Sequence, residues 1–153
     1  MSLALQLRQK FLEKAIRFYA PFLGAGVRVK EMSKDFRFCK IEMPLTFYNR
    51  NYMGTQFGGS LYAMVDPWYM LMLIKNLGPK YIVWDKAANI RFKKPGRGTV
   101  WAEFKINDEI IKEIKDLVEE KTKIDYVFHV EIKDKEGNII AEVDKILYIR
   151  KKT

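Results

Sequence analysis

Asp66 is the one charged side chain in residues 57–74, the least polar stretch of the chain. A carboxylate among apolar side chains must be hydrogen-bonded, paired or open to a cavity, because burying it bare is costly. It is either half of a buried ion pair, with Lys86 or Arg91 as the partner, or a general base or nucleophile at the wall of a pocket. Pro67 follows it directly, lacks an amide hydrogen and clashes with the carbonyl of Ala63, so a helix through this point should kink or break. Upstream, Gly58 and Gly59 mark where a polar loop becomes the apolar helix. Backbone amides at such an end are unsatisfied and sit at the positive end of the helix dipole. Glycine lets a ligand come close to them, so the end can bind an anion or polarise a carbonyl oxygen. A tight loop or close helix packing would ask for the same glycine pair.

Further along, Arg91, Lys93, Lys94 and Arg97 place four cations in seven residues at the end of a strand and its turn. Such a cluster suits a ligand carrying several phosphates, and it equally suits a solvated hairpin tip. Asp85 and Lys86 project from opposite sides of their strand, so one points at the apolar layer and must find a partner there or across an interface. His129 shares its strand face with Asp125 and Glu131 and has no neighbours that make a metal site. Cys39 reads as an ordinary strand residue. No metal or cofactor motif occurs.

The elements that must position these residues follow from pattern and composition. A chain of 153 residues with 48% hydrophobic and 14% aromatic residues suffices for one core, which excludes a disordered protein. One cysteine permits no internal disulfide, and no secretory leader pattern opens the sequence, so a cytoplasmic protein is expected. Of the net +9, residues 1–100 carry +11 (17 basic, 6 acidic) and the remainder −2 (11 basic, 13 acidic). Between residues 51 and 100 the only acids are Asp66 and Asp85. That scarcity points to a phosphate-bearing small ligand rather than to a nucleic acid.

Residues 3–20, within an N-terminal segment 1–22, have the spacing of an amphipathic helix that covers a core, stopped before Pro21; a helix lying on a membrane surface would look the same. Strands are expected at 27–32, 36–43, 81–92, 99–107, 126–132 and 139–149, with a central helix at 57–76. Lys145 interrupts the apolar face of the last strand. A short amphipathic helix carries Ile110, Ile111, Ile114, Leu117 and Val118, with Asn107 as its N-cap. The central acid, the glycine pair and Pro67 argue against a transmembrane span and for a helix wrapped on nearly all sides by sheet.

The run Asn51-Tyr-Met-Gly54-Thr55-Gln-Phe57-Gly58-Gly59, followed by Asp66 and by Ile90-Arg-Phe92-Lys-Lys-Pro95-Gly96-Arg97-Gly98, resembles the hotdog-fold acyl-CoA thioesterases of the phenylacetate-pathway type. It is most similar to an uncharacterised hotdog branch with an Asp-Pro pair on the central helix and a strand like Trp84-Asp85-Lys86. The resemblance implies an α+β hotdog fold for the single domain 1–153, a long helix wrapped by about six antiparallel strands. It also implies a homodimer or dimer of dimers with active sites between protomers. On this resemblance Gly58 polarises the thioester carbonyl of an acyl-CoA, Asp66 from the neighbouring protomer activates water or attacks, and Asn51 orients the water. Gly59, Phe57, Arg91, Lys93, Lys94 and Arg97 then bind substrate, without a cofactor. Phe57 stands where the family has histidine, and Pro67 alters the backbone beside the acid. A hotdog protein that binds acyl-CoA or lipid without hydrolysing it is the alternative.

Overall fold

A computed structural model of the chain describes residues 18–152. The helix expected over 3–20 therefore falls, but for its last residues, outside the described part. Pro21 lies in the first turn of α1 (Ala20–Ala25), where its missing amide hydrogen has no intrahelical partner to lose. Gly26 closes α1 with a φ of +77°, and the amides of Gly26 and Val27 return to the carbonyls of Leu23 and Phe22.

Six antiparallel strands follow: β1 (Arg28–Met32), β2 (Phe38–Met43), β3 (Tyr81–Phe92), β4 (Val100–Lys105), β5 (Lys123–Lys133) and β6 (Ile139–Lys151). Their order in the sheet is β1-β2-β4-β5-β6-β3. Strand β3 leaves the central helix to reach the far edge, so the sheet wraps that helix from both sides. The two-residue period sends Cys39, Ile41 and Met43 of β2, Val100, Ala102 and Phe104 of β4, and Ala141, Val143, Leu147 and Ile149 of β6 inward, and all are buried. Phe36 is not part of β2. Ser33 and Asp35 side chains bond the amides of Arg37 and Phe38, and that tight turn holds Phe36 at a φ of +57° with its ring buried.

The central helix consists of two pieces, α2 (Gly58–Val65) and α3 (Trp68–Leu77), separated at Asp66-Pro67. The break lies where proline chemistry requires it. Trp68 begins the second piece, stacks on Phe22 at 5.3 Å and donates its indole N–H to the Met64 carbonyl at 2.7 Å across the break. Beyond β4, Asn107 caps α4 (Asp108–Lys121) by accepting from the Ile110 amide at 2.9 Å. Ile111, Ile114 and Val118 form its buried stripe. No helix among the described residues is long and apolar enough to cross a membrane.

Candidate active site

The first half of the central helix carries a distinct chemical feature at each end. At its start the N-cap position is held by Phe57, whose side chain cannot cap; Leu61 is the first amide to find a helical carbonyl, that of Phe57. The amides of Gly58, Gly59 and Ser60 are thus left to water or a ligand. Two rings crowd the space a side chain would take here. A Cβ on Gly58 would meet the tip of Phe92 at 3.0 Å, and one on Gly59 would meet the Phe57 ring at 2.5 Å. A cavity of about 390 Å³ opens at this end, lined by Asn51, Gly58, Leu61, Phe92, Lys93 and Lys94 among others.

Asn51 shapes the cavity wall. Its Oδ1 accepts from the amides of Met53 and Thr55, and its Nδ2 donates to Thr55 Oγ1 at 3.0 Å, which closes the loop before the helix. Buried Gln56 anchors the same loop to the sheet and the following turn through Nε2, which donates to the carbonyls of Met43 and Gly98.

At the other end stands Asp66. Its partner is neither Lys86, which pairs with Asp125, nor Arg91, which pairs with Glu142 and Asp144 on the outer face of the sheet. In the β3–β6 register Asn89 lies opposite Asp144 and Arg91 opposite Glu142, so the alternation of β3 puts Arg91 on the face away from the helix. The partner is Lys145, the residue that interrupts the inward face of β6. Its side chain is 1% exposed, and its Nζ lies 2.6 Å from Asp66 Oδ1, 2.9 Å from Asp85 Oδ1 and 3.1 Å from Tyr62 Oη. The Asp85 contact is an ion pair without the alignment of a hydrogen bond. Tyr62 in turn donates to Asp66 Oδ1 at 2.7 Å. Burial works against the Lys145 ammonium, but hydrogen bonds to Asp66 and Tyr62 and the ion pair with Asp85 outweigh it and hold the pKa above the ordinary lysine value. Asp85 is pushed up by burial, against the pull of Lys145.

One chain does not bring all the expected residues together. Gly58, Asn51, Lys93 and Lys94 share the cavity, with Phe57 and Gly59 at its helical edge. Arg97 lies in a separate depression with Asp134 and Glu136, and Lys94 donates to Asn138 Oδ1. Asp66 is eight residues from Gly58, roughly 12 Å along a helix, and is not among the cavity's lining residues. Sequence marks Lys145 only as a lone cation on an apolar strand face, without linking it to Asp66, and gives Tyr62 no role although it lies one helical turn before the acid.

The family model of a domain of unknown function, DUF4442, matches residues 8–149. Among solved structures, the chain is similar to a Pseudomonas aeruginosa protein of unknown function described as a probable thioesterase, at 21% identity and a TM-score of 0.77 over 99% of both chains. A protein of unknown function from Chlorobaculum tepidum gives 18% identity and a TM-score of 0.72 over 94% of both. A thioesterase from Haemophilus influenzae gives 15% and 0.66, covering 89% of this chain and 86% of that one. These likenesses show the hotdog fold. No curated protein matches the sequence.

Proposed function

The chain belongs to the DUF4442 family, and from the geometry of its central helix we propose that it is a thioesterase acting on an acyl-CoA. The observation that carries this reading is the uncapped Gly58 end of a buried helix, opening on a cavity whose wall holds Lys93 and Lys94. Free amides suit the thioester oxygen, and cations beside them suit coenzyme A phosphates. Asn51 sets the loop that forms the opposite wall.

Asp66 supplies the carboxylate. Its separation from Gly58 along one helix supports a site shared between two protomers, the Gly58 cavity from one and Asp66 from the other. Strand β3 supports the same arrangement, since it is a twelve-residue edge strand with one paired side and with Ala87, Ala88 and Asn89 exposed. In the reaction, Asp66 takes a proton from water as the water oxygen bonds to the carbonyl carbon. The carbonyl electron pair moves onto its oxygen, held by the Gly58 amide. When that pair returns, the carbon–sulfur bond breaks, and the thiolate leaves with the bonding electrons and takes up a proton. Thiolate leaves readily, so one carboxylate and one oxyanion donor suffice.

Phe57 favours a second reading. A ring that cannot hydrogen-bond stands over Gly59, beside the reacting position, and a protein that only binds acyl-CoA would tolerate it. A panel of acyl-CoAs assayed with a thiol reagent separates the two. Turnover by the native chain that falls at least about 100-fold in Asp66→Asn is the expected result. Binding without turnover would establish the silent module.

A further inference from the structure

We propose that Lys145 is a positioning residue for Asp66, fixing one carboxylate oxygen so that the other is presented to the reacting water. The inference rests on the assignment of Asp66 as the water-activating carboxylate. Lys145 is the one charged residue buried among the described residues, and it stands on an inward face with Ala141, Val143, Leu147 and Ile149, all of them buried. Packing does not ask for it. An apolar side chain of similar volume fills such a place at least as stably as a buried ion pair does.

The contacts show what the ammonium does instead. Its three short contacts go to Asp66, Asp85 and Tyr62, each from a different direction: the helix break, the edge strand and the helix turn before the break. Asp85 holds it from β3, at the point where the pairing of β3 with β6 slips by one residue between Asp85 and Ala87. That bulge aims Asp85 inward while Lys86 turns out to Asp125.

The result at Asp66 is asymmetric. Oδ1 receives Lys145 Nζ at 2.6 Å and Tyr62 Oη at 2.7 Å. Among the described residues, Oδ2 has no hydrogen-bond partner, and the side chain is 43% exposed. A carboxylate free to rotate would offer either oxygen in many directions. With Oδ1 tied at two points, Oδ2 faces outward from a fixed place, which is the geometric requirement for taking a proton from water in a shared site. The helix break contributes, because Asp66 sits at the junction rather than inside a continuous turn.

The test is steady-state kinetics on the acyl-CoA that the native chain hydrolyses best, in Lys145→Met, Lys145→Arg, Tyr62→Phe and Asp85→Asn, each checked for native circular dichroism. In Lys145→Met, kcat is expected to fall at least about ten-fold with KM within about two-fold, the mark of an interaction used in the transition state. Lys145→Arg restores part of the loss, and Tyr62→Phe lowers kcat by a smaller factor. A folded Lys145→Met with native kcat, or a loss confined to KM, overturns the inference. If Lys145→Met does not fold, Tyr62→Phe and Asp85→Asn decide it, and native kcat in both overturns it. Absence of turnover by the native chain itself overturns the proposed function and this inference together. Turnover with an indifferent Lys145 overturns this inference alone.

Discussion

Gly58 and Asp66 occupy the two ends of α2, and each is defined by what touches it. The Gly58 backbone is open because the nearest obstacle to a side chain is the tip of Phe92, a ring that is itself exposed. Replacing Gly58 by Ala should therefore change stability little. The unfolded chain loses freedom, a gain of about 0.4–1 kcal/mol, while Phe92 must yield by a few tenths of an ångström. A Tm within about 3 °C of the native value is expected, with kcat/KM lowered at least about ten-fold because the methyl group and the displaced ring crowd the amide. Calorimetry and the thioesterase assay on one preparation check both halves. A large loss of stability would show Gly58 to be a packing residue. Cys39, by contrast, is a buried thiol pushed up to about 12 by burial, inert toward the chemistry.

At the level of elements, three strands of the outer sheet face are tied by charge. Arg91 of β3 reaches Asp144 of β6 at 2.6 Å, and Asp144 reaches His129 Nδ1 of β5 at 2.8 Å. Arg91, then His129, pulls the Asp144 carboxyl down to about 2. Lys93, with Arg91, lowers Glu142 beside it. Since the folded value of Asp144 is depressed, the stability it contributes is present above the unfolded value near 3.8 and is lost as pH falls toward about 2. Melting curves of the native protein should drop through this window. In Arg91→Met the drop should be shallower, because Asp144 then protonates closer to its unfolded value. Parallel curves for the two proteins would show the pair to be without weight in the folded state. Arg91 is held by two carboxylates and does not line the cavity, whereas Lys94, and Lys93 despite its own pairing with Glu142 at 3.1 Å, lie at its wall.

For the whole molecule, the separation of Gly58 from Asp66 and the open edge of β3 lead to one experiment. If each site takes its amide from one protomer and its carboxylate from the other, mixing inactive Asp66→Asn with an inactive Gly58→Val chain should restore activity. Each mixed dimer contains one site with both native residues, so random pairing of equal amounts restores about a quarter of the native sites. Sedimentation should show a mass of two chains or four. Mixtures that stay inactive after exchange of subunits would place both residues in one protomer's site.

From β1 onward, the linear pattern of the chain was enough for the order and kind of the elements; the short helix Ala20–Ala25 was not foreseen. Alternation in β2, β4 and β6, the apolar run broken at Asp66-Pro67, and Asn107 before an Ile-rich stripe are local properties, and local sterics and hydrogen bonding decide them. The turn around Phe36 was not legible, because its left-handed backbone depends on how Ser33 and Asp35 side chains close on it. The residues of the candidate site were legible as a list, with Gly58, Asp66, Lys93 and Lys94 marked by type and spacing. Their grouping was not. Asp66 and Asp85 are the only acids between residues 51 and 100, and both meet the same lysine, 79 residues beyond Asp66. That meeting depends on β3 crossing to pair with β6 and on the bulge at Asp85. Sequence by itself determined that a carboxylate in an apolar run must be hydrogen-bonded, paired or open to a cavity, since desolvation demands it. Only the tertiary structure decided which partner, because the sheet's register, not proximity along the chain, brings opposite charges within 3 Å of each other.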